Sequence, residues 1–496
     1  MAQRPRLPRT SPRAGGVDPA AIDALAEALD KIGEVHALVI VRHGAVVAEG
    51  AWAPYAPDQR HQMFSVSKAF TAMAVGIAAA EGLLSVEDRV VDLLPDAVPA
   101  MVSENLAAMR VEHLLTMTTG HALSSMEGRG RTIGRREPDW ARAILAEDVP
   151  LVPGSRFVYD TGATYLLSAI LHRLTGMRLL DYLTPRLLRP LGIVGAEWEQ
   201  DHEGIDVGGY GLSLTTEDMA AFGQLMLQRG RWGDTQLVPA EWIARASDRL
   251  VDSAPQGWDP DWAQGYGYQL WRCRVDAVRA DGAFGQFIIV WPEHDAVIAI
   301  TSGTSRTQAV LDSVWNSLRG AFADPGGSGD PSAAAPDAAA LAVRRTRAMP
   351  QGRARSDVEA ELGGVEYALS WDEPAGAPSF AAAALSTERQ GDRLVLRLRA
   401  DDGAALELRA AHGQWLASTG PGGEPLAASY AWSDPQQLVM TVLGIGTPFT
   451  WTLAARFDER AVRLTMRQNV AFDGSTQWQA EGRRVEGRRD TAPAGG

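Results

Sequence analysis

The sequence predicts an α+β fold, in which one antiparallel sheet is flanked by helices and is followed by a separate all-β domain, a small barrel or sandwich. Three observations lead to this prediction. β-rich segments near the start of the chain and again after residue 265 enclose a long helical stretch. A segment rich in Gly, Pro, Ser and Ala follows at 324–340. Beyond it, apolar residues alternate strictly with polar ones, which is typical of strands.

The first elements are a helix and a strand pair. Asp18 and Pro19 are typical of a helix cap and first turn, and Gly33 ends a run of apolar residues at helical spacing. The segments 36–41 and 45–50 are β-rich and are joined at a His-Gly pair, which predicts a hairpin.

A long apolar helix is predicted over 67–81, and because it is apolar on every side it should run through the core. The pattern stays helical from about 85 to 245, with capping signals at Ser85 and Thr215. Three strands and a last helix complete this part of the chain, at 266–274, 287–291, 297–301 and 305–322.

The C-terminal part shows alternation most clearly in two segments, one carrying Leu394, Leu396 and Leu398 and the other carrying Val462, Leu464 and Met466. Turn signals separate such segments, which predicts an all-β domain. The predicted divisions are a disordered tail (1–17), a mixed α and β domain (18–323), a linker (324–340), the all-β domain (341–487) and a second disordered tail (488–496).

Composition limits the classes of function. A chain of 496 residues with 46% hydrophobic and 22% charged residues predicts a globular protein of two or three domains. The formal net charge of −14 argues against a nucleic-acid partner, because phosphate binding needs a concentrated basic face. No apolar run approaches the ~18 residues of a membrane span, so no membrane partner is expected.

The cysteine and histidine content predicts neither a metal site nor a cofactor. Cys273 is the only cysteine, which excludes an intramolecular disulfide and favours a reducing, cytoplasmic location. His121, His172 and His202 stand at no spacing typical of metal ligands.

Lysine usage draws attention to one position. The chain has lysine only at Lys31 and Lys68, and arginine serves elsewhere as the cation. Arginine cannot give up its proton in a protein, whereas a buried lysine can. Lys31 lies near the end of a surface helix, so a solvated charge explains it, but Lys68 begins a strongly apolar segment and needs another reason.

Ser65 stands three residues before Lys68, at the start of the predicted core helix. This spacing places a hydroxyl and an amine on one face of the first turn, where Lys68 could accept the serine proton. A lysine acts as a base near neutral pH only if its pKa falls from about 10.4 to about 7, and burial favours that change. Alternatively, a charged Lys68 lowers the pKa of a tyrosine, for which Tyr159 is the candidate.

The order of several motifs makes the chain resemble the penicillin-recognising serine hydrolases, especially class C β-lactamases, family VIII esterases and 6-aminohexanoate-dimer hydrolases. The motifs are S-V-S-K, M-R-V-E-H-L-L-T-M-T-T-G, P-G-S-R-F-V-Y-D-T, G-G-Y-G-L-S-L-T-T-E-D-M and A-D-G-A-F-G-Q-F-I-I-V-W-P-E. The resemblance covers roughly residues 18–322 and implies a β-lactamase/transpeptidase-like fold, with the active site between the sheet and a helical lobe.

The resemblance implies catalytic roles for three residues: Ser65 as the acylated nucleophile, Lys68 as the proton acceptor, and Tyr159 as the first residue of the Y-x-N motif. The backbone N–H groups of Ser65 and Ala283 would form the oxyanion hole. Four residues are implied as substrate-binding: Thr161, Asp281, Gly282 and His121. For Asp281 a turn position and for His121 an ordinary loop histidine are open alternatives.

The chain departs from the family motifs at two positions. Thr161 stands in place of the asparagine of Y-x-N, and Ala280 in place of the lysine of K-T-G. The missing lysine would have met a substrate carboxylate, so a small uncharged ester or amide is the expected substrate, cleaved through an acyl-enzyme on Ser65. A D-amino-acid peptidase or amidase and a catalytically silent binding scaffold are the alternatives, and homo-oligomer formation stays open.

Overall fold

The computed structural model describes residues 7–126, 139–254, 259–322, 340–372 and 382–485. The chain forms two compact units, Met1–Arg345 and Thr346–Gly496. The predictions of a disordered tail at residues 1–6 and 488–496 and of a linker at 324–339 lie outside the described residues.

Most of the described helices belong to the first unit, and they include the helices that pack on the two faces of its large sheet. The first two are α1 (Pro19–Ile32) and α2 (Ser67–Ala80). The other α-helices in the described residues of this unit are Val90–Leu93, Glu104–Ala108, Val111–Leu115, Trp140–Leu145, Thr161–Thr175, Leu179–Leu183, Thr216–Leu227, Ala240–Ser247 and Thr307–Leu318.

The strands of the first unit form one large sheet and two small ones. In chain order they are β1 (Val35–Arg42), β2 (Ala45–Ala53), β3 (His61–Gln62), β4 (Glu197–Trp198), β5 (Leu212–Leu214), β6 (Arg231–Trp232), β7 (Thr235–Gln236), β8 (Trp271–Arg272), β9 (Val278–Gly282), β10 (Gln286–Trp291), β11 (Ala296–Ser302) and β12 (Leu341–Thr346).

The large sheet has the strand order β12-β2-β1-β11-β10-β9-β8. The pairs from β2 through β8 are antiparallel, as predicted. Its faces belong to two apolar clusters: Val39 and Val41 lie in one with α2, and Leu38 and Ile40 in the other with α1. Because both faces are covered, β1 is buried along its whole length, and β9 with β8 forms one end of the sheet.

Local signals predicted the first elements correctly. The Asp18 side chain accepts a hydrogen bond from Ala20 N, Pro19 is the first residue of α1, and Gly33 ends the helix with a φ of 74°. The Thr215 capping box is confirmed, because Thr215 Oγ1 and Asp218 Oδ2 each accept a backbone N–H of the other residue at 3.1 Å.

Two local predictions were wrong. Ser85 forms a reciprocal turn with Asp88, but the next helix begins only at Val90. The segment 266–274 is not one strand, since only Trp271 and Arg272 are in β8. Its first residues bond elsewhere: Tyr268 N donates to Ala246 O, and Gln269 adopts a left-handed φ of 61°.

Residues 7–17, predicted as part of a disordered tail, pack against the rest of the first unit. Leu7 is buried, and Thr10 N donates to Val46 O at 3.0 Å. Arg9 forms ion pairs with Glu49 and Glu217 at 2.8 and 2.7 Å. The composition, rich in Arg and Pro, does not reveal that acidic partners lie on β2 and on the helix Thr216–Leu227.

The strand β12, assigned from sequence to the C-terminal domain, is instead the edge strand of the first sheet beside β2. Gly50 of β2 makes room for it, because a Cβ there would overlap the Val343 carbonyl. Val343 is buried, and Arg345 pairs with Asp30 at 2.8 Å. Alternating strands look alike in sequence, so the pairing partner decides to which sheet this one belongs.

The described residues of the second unit form a β-barrel and one short helix, Glu359–Leu362. Its strands are β13 (Glu366–Trp371), β14 (Ala384–Gln390), β15 (Arg393–Arg399), β16 (Ala405–His412), β17 (Leu416–Thr419), β18 (Pro425–Asp434), β19 (Gln437–Gly444), β20 (Thr450–Phe457), β21 (Ala461–Gln468) and β22 (Gln477–Arg484). Among the described residues, nine of them close a ring through a β16–β18 pairing, and β17 adds to β18. This confirms the all-β prediction, and Leu394, Leu396, Leu398 and Leu464 face one apolar core.

Within the described part of the chain, no helix is both long enough and apolar enough to cross a membrane.

Candidate active site

Ser65 lies in a tight turn that leads into α2. The turn, Phe64–Val66, is a 3₁₀ helix, and α2 begins at Ser67. Ser67 is buried and holds the turn in place, because its hydroxyl donates to Phe64 O at 2.6 Å and accepts from Leu212 N at 3.1 Å. Ser65 itself is only partly buried. Ser65 is therefore a partly exposed residue in a turn that is held by hydrogen bonds.

Lys68 is 1% exposed, and its amine joins three segments of the chain. The Nζ atom lies 3.0 Å from Ser65 Oγ, 3.1 Å from Thr161 Oγ1 and 2.8 Å from Gly209 O. The predicted Ser65 and Lys68 pair is therefore in direct contact, and Thr161 is part of the same group.

These three contacts suit both protonation states of the amine. A charged Lys68 can donate to all three oxygen atoms. A neutral Lys68 can still donate to Gly209 O and to Thr161 Oγ1, while its lone pair accepts the hydroxyl proton of Ser65. A carbonyl oxygen can only accept a hydrogen bond. In both protonation states, one N–H of Lys68 therefore points to Gly209 O and away from Ser65.

The segment 206–209 holds this carbonyl in place, and sequence reasoning did not identify it. Thr71, one turn after Lys68 on α2, donates to Gly208 O at 2.9 Å. Asp206 is buried and accepts from Leu180 N at 2.8 Å and from Arg178. Burial raises the pKa of the Asp206 carboxyl despite these donors. The motif G-G-Y-G-L-S, which includes Gly208 and Gly209, is the sequence signal that could have pointed to this segment.

Tyr159 lies beside Lys68, with its ring centroid 5.0 Å from Nζ. Its ring stacks on Trp271 of β8 at 5.6 Å and meets Tyr266 edge-on at 6.4 Å. Burial raises the pKa of the Tyr266 hydroxyl well above its usual range, and the nearby Tyr159 adds to this effect. The structure thus places Tyr159 next to Lys68, and its catalytic role stays a prediction.

Asp160 fixes the segment that carries Tyr159 and Thr161. Its buried carboxylate caps the helix Thr161–Thr175 by accepting Gly162 N at 2.9 Å. The same carboxylate accepts from Ser125 N at 3.0 Å and from the Ser125 hydroxyl. No role was predicted for Asp160, although an aspartate directly before a helix is a capping signal.

His121 lies next to Asp160. Its hydrogen bonds in the described part of the chain do not include Ser65 or Lys68. The imidazole is 3% exposed, and Nδ1 lies 2.8 Å from Thr119 Oγ1 and 3.8 Å from Asp160 Oδ2. Among the described residues, Nε2 has no hydrogen-bond partner. The side chain of an ordinary loop histidine is exposed, whereas that of His121 is buried.

Asp281 and Gly282 are the last residues of β9. Asp281 is therefore in a strand, opposite Phe287, and not in a turn. Arg279 Nε donates to Asp281 Oδ2 at 2.8 Å, yet burial dominates and raises the pKa of the Asp281 carboxyl to about 6. Gly282 packs against the Ser65 turn so closely that a Cβ would overlap Met63 O.

Ala283 follows β9 in the turn to β10 and is partly buried. The turn is closed by Gly285 N, which donates to Gly282 O at 3.2 Å. The close approach of Gly282 to Met63 brings this turn next to the turn that carries Ser65. The two expected oxyanion-hole residues thus belong to neighbouring turns.

Across residues 7–126, 139–254, 259–322, 340–372 and 382–485, no three His, Cys, Asp or Glu side chains are grouped so that they could hold a metal ion.

Comparison with known proteins gives concordant results. The family model described as Beta-lactamase matches residues 22–323. The 6-aminohexanoate-dimer hydrolase of Paenarthrobacter ureafaciens is 24% identical over 298 residues, which are 56% of this chain and 76% of that protein.

Two solved structures share the fold. EstCE1, a hydrolase with promiscuous acyltransferase activity, has 16% identity and a TM-score of 0.50, and the match covers 61% of this chain and 99% of EstCE1. SurE, solved with D-Leu, has 18% identity and a TM-score of 0.50, and the match covers 94% of this chain and 100% of SurE.

The family match spans more than half of the chain and contains Ser65, Lys68, Tyr159 and the β9 motif. It agrees with the resemblance inferred from the order of the sequence motifs, and this protein therefore belongs to the Beta-lactamase family.

Proposed function

We propose that this protein is a serine hydrolase that cleaves small uncharged esters or amides through an acyl-enzyme on Ser65. One observation carries the proposal: the amine of the buried Lys68 lies 3.0 Å from the hydroxyl of Ser65, a partly exposed residue, and two further oxygen atoms hold the amine there. A nucleophile and a base within hydrogen-bond distance are the core of this chemistry.

In the proposed reaction, Ser65 Oγ attacks the substrate carbonyl carbon and its proton passes to Lys68, directly or by way of Tyr159. The tetrahedral intermediate collapses, the bond to the leaving group breaks, and the leaving alcohol or amine takes this proton. Water then attacks the acyl ester and gives its proton to the same groups. The bond between the acyl carbon and Ser65 Oγ then breaks, Oγ takes up this proton to restore the hydroxyl, and the carboxylic acid is released.

The remaining site residues are proposed to bind the substrate. The Ser65 and Ala283 N–H groups would stabilise the carbonyl oxygen as it becomes negative. Thr161 and Gly282 lie against Lys68 and the Ser65 turn, so they would line the carbonyl end. Asp281 and His121 are proposed to border the site, each already bonded to a neighbouring side chain.

An uncharged substrate is favoured because β9 lacks the lysine that begins the K-T-G motif of the family. Ala280 occupies that position and is buried. Arg279 does not replace the lysine: it donates to Asp281, Asp261 O and Arg272 O, and its guanidinium lies 4.5 Å from the Trp262 ring. A charged hydrogen bond to a substrate carboxylate, about 1.5–3 kcal/mol, is therefore missing.

The test is a panel of short-chain nitrophenyl esters, nitroanilides and a chromogenic cephalosporin. We expect kcat/KM for the best ester to exceed that for the cephalosporin by at least about 10-fold, the lower end of the missing interaction. Ser65→Ala is the control for background hydrolysis. A cephalosporin rate that rivals the best ester contradicts the proposed substrate class.

Labelling separates an active enzyme from a silent scaffold. A fluorophosphonate should add one group to the wild-type protein and none to Ser65→Ala, as read by intact mass. An unlabelled wild-type protein would favour the scaffold alternative.

The second candidate is hydrolysis of an amide bond at a D-amino-acid residue. It is favoured by the match to SurE, solved with D-Leu, which extends over both units of this chain. Paired D- and L-leucine nitroanilides test it: a clear preference for the D-isomer over both the L-isomer and simple esters would support this candidate against the first.

A further inference from the structure

Two phenylalanines with left-handed backbones meet at the candidate site. Phe64 has a φ of 46° and Phe284 a φ of 65°. Bulky residues rarely adopt this conformation, in which glycine or asparagine costs much less. Such strain persists only where the surroundings impose it, and it is concentrated at functional sites.

The two rings pack against each other. Their centroids are 5.6 Å apart with an interplanar angle of 87°, an edge-to-face arrangement. Phe64 directly precedes Ser65, and Phe284 directly follows Ala283. The pair therefore joins the two turns that carry the proposed oxyanion-hole N–H groups.

The far side of the β9–β10 turn is held by polar contacts. The Ser302 hydroxyl donates to Phe284 O at 2.8 Å, and Thr304 N donates to the same oxygen at 3.1 Å. Gln286 Nε2 donates to Ala283 O at 3.0 Å. Besides the close approach of Gly282 to Met63 O, the ring contact is a second link between this turn and the turn that carries Ser65.

The direction of the Ala283 N–H follows from the same turn. Gly282 O accepts from Gly285 N inside the turn at 3.2 Å. In a trans peptide the N–H points opposite to the C=O of the same plane. The Ala283 N–H therefore points out of the turn, where an oxygen atom of a substrate could accept it.

We propose that the Phe64–Phe284 pair fixes the separation of the Ser65 and Ala283 N–H groups, so that Phe284 is a positioning residue for transition-state stabilisation. The inference rests on the proposed function, because an oxyanion hole has a role only if Ser65 attacks a carbonyl group. A ring contact that only lined the pocket would affect substrate binding, whereas this one acts on the rate of the chemical step.

The test compares Phe284→Leu, which keeps apolar volume but removes the ring, with Phe284→Tyr, which keeps the ring. Removing one oxyanion-hole donor costs roughly 100- to 1,000-fold in kcat, so a displaced donor should cost at least about 10-fold. We expect Phe284→Leu to lower kcat on a nitrophenyl ester by this amount with KM changed less than about 2-fold. Phe284→Tyr should recover most of the activity.

Two further measurements identify the mechanism. The affinity of an arylboronic acid, which forms a tetrahedral adduct on serine, should fall with Phe284→Leu in parallel with kcat/KM. The double variant Phe64→Leu/Phe284→Leu should lose little more than Phe284→Leu alone, because the two rings act as one unit.

A folded Phe284→Leu enzyme with unchanged kcat and boronate affinity, or with a change in KM alone, would overturn the proposal. If Phe284→Leu does not fold, Phe64→Leu gives the same comparison from the other ring. Failure of the proposed function is recognised separately, since the wild-type protein would then show neither fluorophosphonate labelling nor Ser65-dependent hydrolysis.

Discussion

At the scale of single residues, Lys68 is the residue whose environment is most informative. One buried amine contacts a hydroxyl three residues away, another on a separate helix and a backbone carbonyl 141 residues along the chain. All three atoms are neutral oxygens, and the contact with Ser65 Oγ is the one through which the proposed proton exchange would take place.

The variant Lys68→Arg tests this role, because arginine keeps the charge but cannot give up its proton. We expect kcat/KM on a short ester to fall by roughly 100-fold or more, the range for loss of general-base help. Circular dichroism should show a folded protein, and Lys31→Arg is the matched control. A folded Lys68→Arg enzyme with more than about half of the wild-type activity would contradict proton transfer by Lys68.

The presence of only two lysines allows the base to be identified directly. Labelling with ¹³C-lysine should yield two ε-carbon signals, and Lys31→Arg removes one of them. A Lys68 signal that titrates near neutral pH supports a neutral amine as the base. A signal unchanged up to about pH 9 supports a charged Lys68 next to Tyr159 as the base.

At the scale of elements, the site depends on how closely the end of β9 approaches the turn before α2. Gly282 is the contact point, and its backbone has an ordinary conformation, so the demand for glycine is purely steric. The local sequence A-D-G-A-F-G shows a turn but not this contact. The reason is that Met63 and Gly282 are more than 200 residues apart in the chain.

The variant Gly282→Ala should therefore impair activity more than stability. Its Cβ would push β9 away from Met63, and a displacement of ~1 Å in an active site can cost ~100-fold in rate. Overpacking typically costs about 1–3 kcal/mol of stability, which thermal unfolding would measure. Gly320→Ala is the control, because its Cβ would meet no atom within 4 Å. Equal kinetics of both variants would refute the role of this close approach.

At the scale of the whole molecule, the position of β12 decides where the chain can be divided. The predicted boundary near residue 324 would separate β12 from the sheet in which it forms the edge beside β2. A boundary after Arg347 keeps this strand with the first unit. The division into two independently folding domains stays a prediction.

Two shortened chains test it, one ending at Arg347 and one ending at Asp324. The longer should fold and retain Ser65 labelling by a fluorophosphonate. The shorter should unfold at a temperature lower by at least about 3 °C, because without β12 the first unit loses the burial of Val343, which contributes about 1.5–3 kcal/mol, and ~1 kcal/mol corresponds to about 2–4 °C in a large domain. Equal melting temperatures would show that β12 contributes nothing to the first unit, and an unfolded longer chain would refute separable domains.

The sequence by itself determined most of what depends on neighbours along the chain. The Asp18 cap, the Thr215 box, the hairpin at His43 and the alternation in β15 all connect residues a few positions apart. The order of motifs was sufficient for the family, and the pairing of Ser65 with Lys68 follows from helical spacing.

Only the tertiary structure decided which distant groups meet. The Gly209 carbonyl, the Asp160 contact with Ser125, the ring of Phe284 against Phe64 and the place of β12 have no local signature. Each depends on packing between segments far apart in the chain, where many partners are compatible with the same residue pattern. Close packing of the whole unit selects one of them, which is why the contacts that position the site appear only once the chain is folded.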